Sequence, residues 1–335
     1  MKKKLLILIG SLWILLICVG CQSYDISKML FIASVGIEKK EDQLSGYFYL
    51  PLSSDIGKTE NTKNKGQGEF AKTSGRTIPE LFQNLQYSTS LTINFRHVSS
   101  IVLNEELLQK EFIEELMDFI KFSFEIDFNC YLFVTKEKME ELFDFKNPNQ
   151  ESVLNSMLVS TSDVSALFLV APPIHFLEFV QRYFNKRTII LPLLDLEEIW
   201  TIESEPSKNF HAQSAVYYYE DKIKEVIRNE SSPYFSKSTK FMDHMDKIPL
   251  SIKHYKMKQE YKDILRLKIE FECDIFQTDN KPTTQEIEAF VYKRIKSYIE
   301  EFEEVDPLDL KFNNKAYRTN CSYDTLDIQI KIRKN

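Results

Sequence analysis

The segment that most restricts the architecture spans residues 283–307. Thr283-Thr284-Gln285-Glu286 has capping-box spacing: the Thr hydroxyl takes the amide three residues on, and the Glu carboxylate reaches back. Behind it Ile287, Phe290, Val291, Ile295, Tyr298, Ile299 and Phe302 recur every three or four residues, and Pro307 ends the run. A long helix with one apolar stripe must bury that stripe against another layer. The strand-like segments 264–277 and 325–332 flank it, and 214–219 with 222–227 form a hairpin about Glu220-Asp221. Residues 206–335 therefore read as a C-terminal α+β domain, an antiparallel sheet packed on a long helix.

The preceding half has a different texture. Residues 29–38 (MLFIASVGIE) read as a buried strand and 46–52 (GYFYLPL) as its hairpin partner. Residues 53–76 are polar and aperiodic, which predicts a mobile excursion or a long hairpin. Thr77-Ile78-Pro79-Glu80 opens a helix carrying Leu81, Phe82 and Leu85, with Pro79 where a missing N–H costs little. Strands near 98–103, 129–134 and 188–194 alternate with helices ending at Phe122, over 136–143 and over 175–184, with Asn104 as an N-cap. This predicts an N-terminal α/β domain over 21–205, in one lobe or two, built as a mixed sheet with helices. The polar, proline-containing stretch 203–208 (ESEPSK) is the expected boundary. The fold class is α+β, multidomain.

The first residues set the compartment. Lys2, Lys3 and Lys4 precede an apolar run of about 15 residues, the pattern of a secretory signal and short for a ~30 Å hydrocarbon core. The run ends Cys18-Val19-Gly20-Cys21, a small residue before a cysteine, as lipoprotein signal peptidase requires. Residues 1–20 then read as a lipoprotein signal peptide, with Cys21 the lipidation site carrying diacylglyceryl and palmitate-type chains. Two chains suffice for stable anchoring. An ordinary secreted protein and an uncleaved signal anchor are the other readings. Removing residues 1–20 takes three lysines from 43 Lys+Arg against 50 Asp+Glu, leaving a net charge of about −10. That argues against nucleic acid or anionic lipid as the main partner.

The chain offers little chemistry. Gly57-Lys58-Thr59 suggests a phosphate loop, but the glycine required five positions earlier is Leu52. His97, His175, His211, His244 and His254 never fall at i, i+4 spacing, and no metal or cofactor is implied. Asp243, His244 and Asp246 read as a solvated turn rather than an acid–base pair. There is no G-x-S-x-G elbow, and Cys130 sits among aromatic residues as a small core residue would. Tyr217-Tyr218-Tyr219 could stack on a sugar or peptide, or alternate into a core. Cys130, Cys273 and Cys321 are odd in number and far apart, which is no disulfide framework. The chain reads as a non-enzyme.

Taken in order, several segments resemble the Ger(x)C family, lipoprotein C subunits of spore germinant receptors. After the lipobox, Ser34-Val35-Gly36-Ile37-Glu38 looks like that family's Gly-Ile-Asp strand. Residues 74–81 (SGRTIPEL) look like its glycine-led helix entry, and 95–106 (FRHVSSIVLNEE) like its strand-to-helix junction. Residues 131–138 (YLFVTKEK) and 214–217 (SAVY) resemble its next strand and the opening of its C-terminal domain. Gln22-Ser23-Tyr24-Asp25 stands where the family commonly has Trp-Asp, and the region after Phe302 is shorter. The resemblance implies a non-enzymatic subunit on the outer surface of the spore inner membrane. Its partners would be two membrane-spanning receptor subunits, and its role nutrient-triggered germination. A substrate-binding lipoprotein of a transporter is the alternative, and it requires two α/β lobes around a polar cleft.

Overall fold

A computed structural model describes residues 28–51, 69–123, 126–144, 171, 173–202, 205–227, 241–245, 248–261, 264–275, 281–317, 319 and 321–333, with backbone alone at 123, 197–202, 205–213 and 225–227. Two sheets dominate it. The first is mixed. Its centre is four parallel strands, β2 (Ser34–Lys40), β6 (Ser100–Asn104), β7 (Tyr131–Thr135) and β9 (Ile189–Ile202). Antiparallel strands flank them: β3 (Gln43–Leu50) and β4 (Glu69–Gly75) beside β2, and β10 (Glu205–Tyr219) and β11 (Lys222–Ile227) beside β9. A two-residue strand, β8 (Ile174–His175), pairs with β7.

Two hairpins close through two residues each. Glu41 turns β2 into β3 with φ 54°, and Glu220 and Asp221 (φ 44° and 63°) join β10 to β11. At Glu220-Asp221, positive φ at both central positions makes the turn that matches strand twist.

Strand alternation sorts residues between the two faces of the sheet. Val35, Ile37, Ile101, Leu103, Leu132, Val134, Leu191 and Leu193 enter one core with α1 (Ile78–Tyr87), α2 (Lys110–Ser123) and α4 (Phe176–Phe184). Val102, Phe133 and Leu194 face the other way, into a smaller cluster with α3 (Met139–Asp144). A separate parallel pair, β1 (Met29–Phe31) with β5 (Thr92–Asn94), lies where the chain enters. The strand expected over 29–38 is thus two strands, because its first residues pair elsewhere.

The second sheet has the order β12 (Phe241–Met245), β13 (Ile248–Tyr261), β14 (Leu265–Ile275), β15 (Asp327–Ile332). One face packs on α5 (Thr284–Phe302): Ile287, Val291, Ile295 and Ile299 meet Leu250, Ile252, Leu267, Ile269 and Phe271. The capping box forms as expected, with both reciprocal bonds between Thr283 and Glu286. The α+β class holds, and three strands are antiparallel. The fourth, β15, pairs parallel with β14, because a strand reached through a helical crossover re-enters in the same direction. That crossover includes α6 (Leu310–Tyr317), absent from the sequence reading.

One expectation narrows and one shifts. Within the aperiodic stretch 53–76, Glu69–Gly75 is strand β4, antiparallel to β3, so the long-hairpin alternative is the one that fits; its register on β3 holds it rather than any apolar alternation of its own. The stretch 203–208 does not separate the sheets. It overlaps the meeting of β9 and β10, which pair from Ile202↔Glu205 to Ile189↔Tyr218, so the first sheet continues to Ile227. A proline near the start of a strand beside a polar hairpin end has the composition of a linker.

Candidate functional site

Cys21, the residue singled out as the lipid acceptor, lies outside the described residues, as does Gly57-Lys58-Thr59. The histidines are scattered. His97 meets Phe31 edge-on at 5.2 Å, His175 stacks on Tyr131 at 4.3 Å with Nδ1 2.6 Å from the Asn129 carbonyl, and the His254 ring faces Glu272 at 3.7 Å. Asp243 accepts the His244 amide at 2.7 Å from a β12 strand, where a solvated turn was expected. Among the described residues no three His, Cys, Asp or Glu side chains are placed to hold a metal. Cys130, Cys273 and Cys321 form no disulfide among the described residues. Burial pushes Cys130 up to about 12 and Cys273 up to about 11, far from a reactive thiolate.

Two polar clusters organise the molecule instead. The first seats α3 on the first sheet. Glu38 on β2 is 4% exposed. It accepts from the Tyr47 hydroxyl at 2.6 Å, from Lys40 at 2.8 Å and from the Met139 amide at 3.2 Å. That amide belongs to the first turn of α3 and has no partner within the helix. Burial opposes the charge on Glu38, but these three donors outweigh it and hold the carboxyl below its ordinary range. Two residues earlier, a Cβ on Gly36 would lie 2.5 Å from Phe143 and 2.6 Å from the Met139 sulfur. Gly36 and Glu38 therefore serve one purpose: the glycine lets α3 approach the strand, and the acid caps it.

The second cluster joins the sheets. Asp309, with its side chain 11% exposed, follows α5 and has φ 54°. One carboxylate oxygen accepts the Thr188 amide at 2.7 Å. The other takes Arg187 Nε and Nη2 at 2.9 and 2.6 Å and Arg182 Nη1 at 3.4 Å. The Thr188 hydroxyl lies 2.6 and 2.7 Å from the Val305 and Asp306 carbonyls. Asp306, also left-handed at φ 50°, caps α6 through the Leu310 and Lys311 amides and accepts from the Tyr323 hydroxyl at 2.5 Å. Burial, then the Asp306 carboxylate, push the Tyr323 phenol far up. Beside this knot the last turn of α5 leaves the second sheet. Tyr298 and Phe302 pack on Tyr217 and Tyr219 of β10, with the Tyr217 and Tyr298 hydroxyls 2.5 Å apart. The tyrosine triplet thus alternates, as a core would: Tyr218 faces the helices and its two neighbours face α5.

An open recess of about 430 Å³ next to the knot is lined by Asn129, His175, Glu178, Arg182 and Arg187 among others. Its two guanidinium groups already bind Asp309 and Glu178, so the charge is balanced within the protein. The arrangement suits mechanical joining and contains no nucleophile with an adjacent base.

A family model described as the spore germination protein N-terminal domain matches residues 22–196, more than half of the chain. This chain belongs to that spore germination family. The match starts one residue after Cys21 and ends within β9, so it takes in Gly36, Glu38, Arg182, Arg187 and Thr188. The rest of the first sheet and all of the second lie beyond it. A Bacillus subtilis (strain 168) protein named "Putative spore germination protein YfkR" is 32% identical over 114 residues, 32% of this chain and 29% of its own length. The match thus spans under a third of that relative. No solved structure matches. Family membership supports a role in spore germination, in a family not known for enzymes. Among the described residues no helix is long and apolar enough to cross a membrane.

Proposed function

We propose that this protein is the lipid-anchored subunit of a spore nutrient germinant receptor, working without catalysis through contacts with two membrane-spanning subunits. The observation that carries this reading is the junction at the start of the family match: residues 22–196 match directly behind Gly20-Cys21. The lipid on Cys21 would hold the protein on the outer surface of the spore inner membrane, restricting its search for partners to two dimensions. The two polar clusters support the same reading. Both join parts of the protein to each other, which suits a rigid body that transmits force or presents a surface.

Deleting the gene tests the proposal. The expected result is lost or slowed nutrient-triggered germination with fewer assembled receptor subunits in the spore membrane. Normal germination and normal assembly, with no paralogue compensating, would sink it. The transporter reading requires a second lobe of repeated βα units. The second sheet instead lies behind one long helix with a single parallel pair.

A further inference from the structure

If Cys21 is acylated as proposed above, the fold restricts which end of the protein can meet the membrane. The eight residues from Cys21 to Met29 reach at most about 28 Å when fully extended. Met29 lies in β1, at the end of the first sheet where the parallel strands begin. There Ser34, Ser100 and Tyr131 lie in register. A row of backbone bonds ties the strand starts together: Ser99 N–H to Ala33 (2.9 Å), Tyr131 N–H to Ser99 (2.8 Å), Phe176 N–H to Cys130 (2.8 Å) and Leu177 N–H to Phe128 (3.0 Å). Helix α1 finishes at the same end, since the Gln86 side chain bonds Leu91 and Ile93 beside β5. Helix α2 must also finish there, because it leaves the far end of β6 and leads to the start of β7.

Away from its β9–β11 side, where Thr188 meets the second sheet and Glu220, Asp221 and Lys222 are exposed, this end carries four large exposed residues: Tyr87 (76%), Phe122 (67%), Leu177 (43%) and Phe128 (36%). They come from α1, α2, α4 and the loop before β7, and have no common role in any core. Lys121 lies 5.2 Å over the Phe122 ring, Arg96 is exposed nearby, and Asp127 neighbours Phe128. The opposite end, at the β2–β3 turn and the start of α2, exposes Lys39, Glu41, Asp42 and Glu106. It lies about 23 Å further along the seven residues of β2, which would leave the tether almost fully stretched. We propose that the end where the parallel strands begin rests on the bilayer, with Tyr87, Phe122, Phe128 and Leu177 at the boundary between headgroups and acyl chains. The Tyr87 hydroxyl can stay among the headgroups while Phe122, Phe128 and Leu177 enter the acyl boundary, and Lys121 and Arg96 can reach lipid phosphates.

The test uses the full-length acylated protein in vesicles of phosphatidylglycerol and phosphatidylethanolamine with brominated acyl chains. Phe122→Trp and Phe128→Trp report lipid contact, with Tyr292→Trp on the exposed face of α5 as the control. Mass spectrometry establishes acylation of each variant. The expected result is emission at least about two-fold quenched above the parent's background at the first two positions and unchanged at the control. Acylated protein without quenching at either position overturns this orientation and leaves the anchor reading standing. Protein that carries no acyl chain overturns the anchor reading, and the orientation with it. Shielding of the two positions only when membrane-spanning partners are added would give the face to a protein and also overturn the proposal.

Discussion

Asp309 should be the most sensitive residue joining the two sheets. Its carboxylate takes one backbone amide and two guanidinium groups, so truncation to alanine leaves the buried Thr188 N–H and the Arg187 guanidinium without this acceptor, while Arg182 keeps Glu178 and the Thr188 carbonyl. Removing one partner of a buried ion pair costs about 3–5 kcal/mol. Arg187 is a third exposed, with 34% of its side chain accessible, and water recovers part of that loss. Alanine also tolerates a φ of 54° poorly, at about 1–2 kcal/mol. The net expectation for Asp309→Ala is a loss of about 3–4 kcal/mol. Asp309→Asn keeps an acceptor for Thr188 and tolerates the left-handed backbone, so about half that loss is expected. Urea denaturation followed by circular dichroism measures both. Combining Asp309→Asn with Arg187→Gln should reveal a coupling of about 1 kcal/mol. A loss under about 1 kcal/mol for Asp309→Ala would refute the idea that this carboxylate holds the sheets together.

Further predictions concern the other clusters. Gly36→Ala forces a methyl against both Phe143 and Met139 and should destabilise by about 1–3 kcal/mol, read as a lower urea midpoint; an unchanged midpoint would show that α3 moves freely. The Glu38 carboxyl is held below its ordinary value of 4.5, so its contribution is present above that pH and disappears as pH falls through the folded value. The stability gap between parent and Glu38→Gln should therefore be constant from about pH 8 to pH 5 and shrink below about pH 4.5; a gap as large at pH 3 contradicts the assignment. Tyr217→Phe and Tyr298→Phe should each cost about 1 kcal/mol, with the double variant well short of their sum, because each hydroxyl is bonded to the other; strict additivity would count against that bond.

Much of the secondary structure was legible because local signals agreed with tertiary ones. The stripe on α5 predicts its buried face, and Ile287, Val291, Ile295, Tyr298, Ile299 and Phe302 are all buried. Thr77 caps α1 as its sequence suggests, and Glu220-Asp221 forms the predicted hairpin turn. The boundary expected at 203–208 fails because β9 and β10 pair there, Ile202 with Glu205, and a polar, proline-containing hairpin end has the composition of a linker. Strand β4 follows from its pairing with β3, which propensity does not encode. The joining site leaves almost no local signal in the sequence. Arg182, Arg187 and Thr188 are separated from Asp306 and Asp309 by more than a hundred residues, and each looks like ordinary surface polarity. One clue was available: the turn 306–309, with Pro307 between two aspartates, lies just behind the long helix α5. In sequence the Gly-Ile-Glu strand shows only a family likeness; its physical content, a close approach and a helix cap, lies in the geometry.

The central claim, a germination subunit held to a membrane through Cys21, is tested most directly by labelling sporulating cells with a fatty-acid probe. Parent and Cys21→Ala proteins would be compared for label, membrane retention and nutrient-triggered germination. The account predicts a labelled, membrane-bound parent and an unlabelled variant that leaves the membrane fraction and germinates poorly. A Cys21→Ala protein that remains labelled and retained like the parent would contradict it.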